Sequence, residues 1–150
     1  MLIGTFSPKD IVLSINDYQI KDFTDGTFIE VLQNSPSYRA VKGIRGKHTR
    51  VHQRDNSGTL KFRMMQTSHQ NNVLSEIALD DKINQTGLLL VTLRDVGGDT
   101  GIQFTNAYLE GFPNVSYQST STSPIEWNIN YEHITTYYVG GNKKSVFDFI

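Results

Sequence analysis

The stretch GTLKFRMMQT, residues 58–67, alternates with a period of two. Leu60, Phe62 and Met64 fall on one side and Lys61, Arg63 and Met65 on the other, the pattern of a strand with one face on a core and one on solvent. Similar segments lie on both sides of it. Upstream, IVLSI (11–15) and YQI (18–20) flank the turn pair Asn16-Asp17 at hairpin spacing, and TFIEVLQ (27–33) follows the turn Thr24-Asp25-Gly26. RAVKGI (39–44) and TRVHQ (49–53) are weaker strand candidates flanking Gly46.

Downstream the period changes once. In VLSEIALDD (73–81), Val73, Leu74, Ile77 and Ala78 recur at helical spacing, preceded by Ser68, Asn71 and Asn72 as candidate caps. The expected helix runs over about 71–82. Strand signals then resume with LLLVTLR (88–94), the turn GGDTG (97–101) and IQFTNAYLEG (102–111). A glycine there is expected to supply a positive φ. A short VSY strand (115–117) is expected next, and in IEWNINYEHITTYY (125–138) Ile125, Trp127, Ile129 and Tyr131 share one face of a long strand with a bend. Many strands with one interposed helix imply a mainly β protein, an antiparallel sandwich or barrel with one flanking helix, and argue against a parallel α/β fold.

At 150 residues the chain suits one domain, here 1–150 with a C-terminal extension over 141–150. Eight Phe, seven Tyr and many Thr fit strands better than helices. The absence of cysteine excludes a disulfide scaffold, a thiol nucleophile and Cys-ligated zinc or iron–sulfur centres, and fits a reducing compartment. MLIGTFSPKD lacks the pattern of a signal peptide, and no run approaches the roughly 20 apolar residues of a membrane span. A soluble protein with no membrane partner is expected. The segment GGNKKSVFDFI (140–150) is different, because Val146, Phe147, Phe149 and Ile150 would need to dock on the same domain or a neighbour.

The formal net charge of -1 conceals a partition. Residues 1–35 carry two basic and five acidic side chains, 36–67 eight and one, and 68–150 four and nine. Within 37–58, a long basic loop, stand Arg39, Lys42, Arg45, Lys47, Arg50 and Arg54, with His48 and His52 and one acid, Asp55. A basic segment raises nucleic acid as a partner, but only Tyr38 is present there to stack a base. Alternating blocks of opposite charge fit self-association better.

Signals for chemistry are weak. His48 and His52 are four apart in a strand-like, glycine-broken segment with no third ligand near in sequence, so no metal is expected. GGDTG is followed by strand alternation, not by the helix and lysine of a phosphate loop. Asp80 and Asp81 are adjacent on a helix and do not face each other. No G-x-S-x-G elbow occurs, and Trp127 and the tyrosines of 131–138 fit core or subunit packing. No enzyme activity and no cofactor are expected.

Three stretches, DFTDGTFIEV (22–31), SGTLKFRMMQTSHQNNVLSEI (57–77) and TYYVGGN (136–142), together resemble the tail tube proteins of contractile-tailed bacteriophages over roughly residues 5–142. The haemolysin-coregulated proteins of type VI secretion share that architecture by analogy. The resemblance implies six copies in a ring, with rings stacked head to tail into a hollow tube inside a contractile sheath. Neighbouring sheets would join into one barrel around a lumen that conducts viral DNA without specific binding. Expected partners are further copies of the chain and the sheath, baseplate and tail terminator proteins. The site would be the virion tail, assembled in the host cytoplasm.

By position, 37–58 corresponds to the loop that reaches the next ring in such tubes. On this reading its six cations dock on carboxylates of the adjacent ring, with Asp22, Asp25, Glu30, Asp80 and Asp81 as acceptors. A nucleic-acid-binding β-barrel that uses the same basic segment is the alternative.

Overall fold

A computed structural model describes residues 4–142. The elements are β1 (Ile11–Ile15), β2 (Tyr18–Ile20), β3 (Ile29–Gln33), β4 (Tyr38–Lys42), β5 (His48–His52), β6 (Gly58–Met64), α1 (Gln70–Asn84), β7 (Leu89–Asp95), β8 (Gly101–Leu109) and β9 (Ile125–Tyr138). Seven strands make one antiparallel sheet in the order β2-β1-β7-β8-β9-β6-β3, and β4 and β5 make a separate two-stranded sheet.

The alternation of 58–67 is realised over β6, where Leu60, Phe62 and Met64 are fully buried and Arg63 and Met65 exposed. On β9 the same rule buries Ile125, Trp127, Ile129 and Tyr131. Asn16 and Asp17 both take positive φ, as a two-residue turn of matching twist requires. The sheet is rolled around its core: Phe23, just past edge strand β2, bridges to Met64 of β6 beside the opposite edge. Residues 22–28 carry the chain across that gap, with Met65 and Arg63 amides donating to the Asp22 and Phe28 carbonyls. β2 and β3 do not pair, so the roll stays open and no closed barrel forms.

Two irregularities bend the long strands. Asn106 adopts φ 53 within β8, where the β7 register shifts between Leu89/Val91. On β9 the β8 register skips between Gln103/Phe104, the bend expected of a strand this long.

The helix lies over the roll with Leu74 and Ala78 inward. Ser68 accepts the Gln70 amide and so serves its first turn, while Asn71 is used elsewhere: its Oδ1 accepts the Trp127 indole N–H at 3.0 Å. At the other end Gln85 takes φ 56 and Asp81 Oδ1 accepts the Gly87 amide at 2.8 Å.

Several expectations need correction. The long basic loop is mostly a β-hairpin, since its glycines fall at the turn and leave two five-residue strands to pair. The expected VSY strand is irregular; residues 111–124 cross the surface, tied down by Gln66 through the Ser116 carbonyl and the Ser123 amide. GGDTG does form the β7–β8 turn, yet neither Gly97 nor Gly98 is at positive φ. They are small because other chain passes close. A Cβ at Gly98 would lie 2.7 Å from the Gly141 carbonyl oxygen, and one at Gly97 2.7 Å from Asp10 Oδ2. Of the 141–150 extension, residues 143–150 lie outside the described residues.

Candidate assembly interface

The hairpin β4–β5 is built by its own sequence. Gly46, at φ 84, closes the tip by donating its amide to the Gly43 carbonyl, and Gly43 donates to the Lys47 carbonyl at 2.7 Å. The base is stapled by Asp55, which accepts from the Ser57 hydroxyl and amide and from Ser35, while Asn34 bonds Ser57. Those hydrogen bonds, Ser57's first, hold the Asp55 carboxyl below its usual range.

Pairing register sorts the cations. Tyr38↔His52, Ala40↔Arg50 and Lys42↔His48 share one face, with the Arg50 guanidinium 4.0 Å from the Tyr38 ring centroid. Arg39↔Val51 and Val41↔Thr49 share the other. Arg45 and Lys47 flank the tip beside Ile44, and Arg54 follows the end of β5. The hairpin has two different faces, one cationic and aromatic, one mixed with valine.

Every residue from 36 to 50 is exposed. Isolated two-stranded ribbons are marginal in water, because nothing is buried between them. Among the described residues the ion pair within 4 Å is Arg63–Glu126, at 3.8 Å, so none of the six hairpin cations meets a carboxylate of its own chain there.

The five expected acceptors divide into groups. Asp22 lies at the start of α1, accepting from Ser68 Oγ at 2.7 Å, and Asp25 lines a recess with Lys9, Lys21 and Phe23. Glu30 stands on edge strand β3 opposite Lys61. Asp80 and Asp81 are near the far end of α1, about 16 Å along the helix axis from its start. There Asp80 accepts from Asn84 and Asp81 from Gly87. These last two already serve the helix terminus.

Two features were missed at the level of sequence. One is the full exposure of Ile44, an aliphatic residue at the tip of a basic hairpin, for which its position between Gly43 and Arg45 was the available signal. The other is a cavity of about 330 Å³ in the open side of the roll, between β1–β7 and the start of β3. Its walls come from segments distant in sequence, so no local pattern marks it.

With this geometry in place, the fold, a rolled antiparallel sheet with a flanking helix and a projecting hairpin, can be set beside those of solved chains. A chain of the anti-feeding prophage cap, the AFP tube terminating cap, superposes with a TM-score of 0.63 at 10% identity, covering 90% of this chain and 92% of that one. A chain of the sheath/tube terminator of PVC, an extracellular contractile injection system, in its extended state gives 0.58 at 14%, covering 89% and 97%. A chain of the PVC sheath–tube complex in the extended state gives 0.57 at 15%, covering 87% and 89%. At these identities the likeness is one of fold. In sequence, the chain is similar to Structural protein ORF10 of Pseudomonas phage KPP10, 22% identical over 149 residues, 94% of this chain and 85% of that protein. No protein-family model matches.

Proposed function

We propose that the chain is a structural subunit of a phage tail tube, forming rings of six that stack head to tail. The observation that carries this is the unfinished surface of the single subunit. The roll is open, with β2 and β3 as edges, and a hairpin exposed on both faces projects from the end of β3. An edge offers unpaired backbone groups, which a neighbour's edge satisfies in closing a ring. The hairpin is the axial contact, its cations meeting carboxylates of the next ring, with Asp25 and Glu30 as the more open acceptors and Asp22, Asp80 and Asp81, each accepting a hydrogen bond within its own chain, less so. Likeness in sequence to a phage structural protein, and in fold to subunits from tube and terminator assemblies, supports the reading.

A conduit for DNA must not hold it, since each cation facing the lumen adds salt-dependent phosphate affinity. The non-core face of the sheet suits that task. It presents Thr59, Thr92, Gln103, Thr105 and Asn130 with the carboxylates Glu126 and Glu132, and of its cations Lys61, Arg63 and Arg94, Arg63 is engaged by Glu126. The hairpin keeps the main cation cluster off this face.

Negative-stain microscopy of the purified protein tests the proposal. Hollow stacked rings are the expected result; a protein that stays monomeric at high concentration and binds oligonucleotides tightly is instead the nucleic-acid module. A second reading is favoured by the likeness to the tube terminating cap and the terminator. A terminator yields single rings that cap a tube, whereas a head-to-tail tube subunit propagates into open filaments. The same micrographs separate the two.

A further inference from the structure

The hairpin tip and the cavity in the open side of the roll are complementary in shape and charge. At the tip Ile44 is fully exposed, and the turn closed by Gly43 and Gly46 sets Arg45 and Lys47 beside it. A single exposed isoleucine is ordinary on a protein surface. One held between two cations at the end of a projecting hairpin is the part of the subunit that a neighbour meets first.

The cavity is a slot of about 330 Å³, at the small end of pockets that enclose whole ligands, and so of a size for a few side chains. Phe6, Ile11, Phe28, Ile29 and Leu93 give it an apolar floor, and Phe6 is 68% exposed although aromatic. Arg94 and Asp95 stand on one rim, and the adjoining recess adds Asp99. Asp10 lies against the same turn, beside Gly97. Asp10, Asp95 and Asp99 thus outnumber Arg94 on this side. On the other side Asp25 shares its recess with Lys9 and Lys21, so the excess of negative charge belongs to the β7–β8 turn.

Tip and slot belong to opposite ends of one strand. Ile29, the first residue of β3, lines the slot, and Gln33, the last, leads into the hairpin base at the Asn34–Ser57 bond. The strand between them spans about 13 Å. In its own subunit Ile44 is in solvent and not in the slot, so the two features meet between copies. A knob on one surface and a slot on another make a head-to-tail contact, the kind that propagates.

We infer that the slot receives the hairpin tip of a second copy of this chain, with Ile44 on the apolar floor and Arg45 and Lys47 against Asp95 and Asp99. The inference rests on the proposed function for its stacked copies, and adds to it an apolar anchor and acceptors other than Asp25 and Glu30. Burial of Ile44 supplies the hold, and the charge pairs fix the direction in which the tip enters.

Sedimentation and negative-stain microscopy of the full chain test this. Ile44→Asp and, separately, Phe6→Asp are expected to raise the protein concentration at which stacks appear by about tenfold or more. Both should keep the parent's urea midpoint, since both side chains are exposed, and Ile44→Val should stack as the parent does. The chain has no cysteine, so Ile44→Cys with Thr27→Cys, at the slot, in one chain is expected on oxidation to give ladders beyond the dimer on non-reducing gels, each copy linking to the next. Ile44→Cys with Leu79→Cys, on the exposed side of α1, should give none. If the parent stacks and Ile44→Asp stacks at the same concentration, or if stacks yield no ladder through Thr27→Cys, another occupant fills the slot and the inference is overturned while the tube reading stands. A parent that never stacks overturns both.

Discussion

The rolled sheet and the basic hairpin are made of the same element, paired antiparallel strands, and differ in what lies behind them. On β6 and β9 each inward side chain is buried against others, down to a Phe104–Tyr131 stack at 4.3 Å between centroids. On β4 and β5 both faces meet solvent, and the register is held by the tip turn and the Asp55 staple. Stability therefore resides in the first region, and the proposed function assigns association to the second. A substitution that matters greatly to one should scarcely register in the other.

That division can be broken most forcefully in the core. Trp127→Ala removes a fully buried ring and the indole bond to Asn71 that ties α1 to the sheet, and is expected to cost about 3–5 kcal/mol, read from the urea midpoint by circular dichroism. A loss under 1 kcal/mol would mean that the helix and sheet are not coupled there. Where the two regions join, Gly58→Ala sharpens the boundary. Its new methyl would lie 2.1 Å from the Leu32 carbonyl oxygen and 2.3 Å from the Tyr131 hydroxyl, which itself donates to that carbonyl. An overpacking cost of about 1–3 kcal/mol is expected from the same measurement.

Alkali probes the same junction. Burial, with Tyr137 adding to it, pushes the Tyr131 hydroxyl up to about 12. The folded state favours the neutral phenol, so its contribution is whole below pH 10 and lost as pH rises from there through about 12. Tyr131→Phe should lose part of that alkaline sensitivity. If both proteins unfold along one pH curve, the hydroxyl has no such role.

In the hairpin the expectation reverses. Arg45→Glu with Arg50→Glu should shift unfolding by no more than about 0.5 kcal/mol, because both side chains are exposed, yet under the proposed function leave rings that do not stack. Tubes of normal length from that variant would refute the axial role. Individual exposed pairs contribute only about 0–1 kcal/mol, but a ring of six, as proposed, would repeat the set. Least of all should acid affect the fold. The Asp55 staple contributes while its carboxyl is ionised and loses that contribution as pH falls below about 4. Amide exchange at Ser57 should rise there before any exchange in β6, and synchronous loss would argue against a separate hairpin base.

Much of this was legible from residue order. Ile11–Ile15, Tyr18–Ile20 and the faces of β6 and β9 follow from period-two alternation and the Asn16-Asp17 turn, all of them interactions between near neighbours. The helix extends to Gln70–Asn84, slightly beyond the expected 71–82, since its first turn leans on Ser68 and its last on Asp81. Arg39, Lys42, Arg45, Lys47, Arg50 and Arg54 do lie on one projecting feature, but its strand character is faint in the sequence because weak alternation in a polar stretch resembles loop. Asp22 illustrates the opposite difficulty. A carboxylate's hydrogen-bond partner can lie 46 residues away, as Ser68 does for Asp22, and nothing in its own neighbourhood announces that.

Residue order alone thus determined which segments pair as strands, which face of each is apolar and where positive charge collects, because these depend on side chains two to four positions apart. Only the tertiary structure decided that the sheet rolls without closing, that the GGDTG glycines serve close approach, and that Phe6, Phe28 and Leu93 share one slot. Those outcomes depend on which distant backbones meet, and a chain records such meetings in packing volume and not in period.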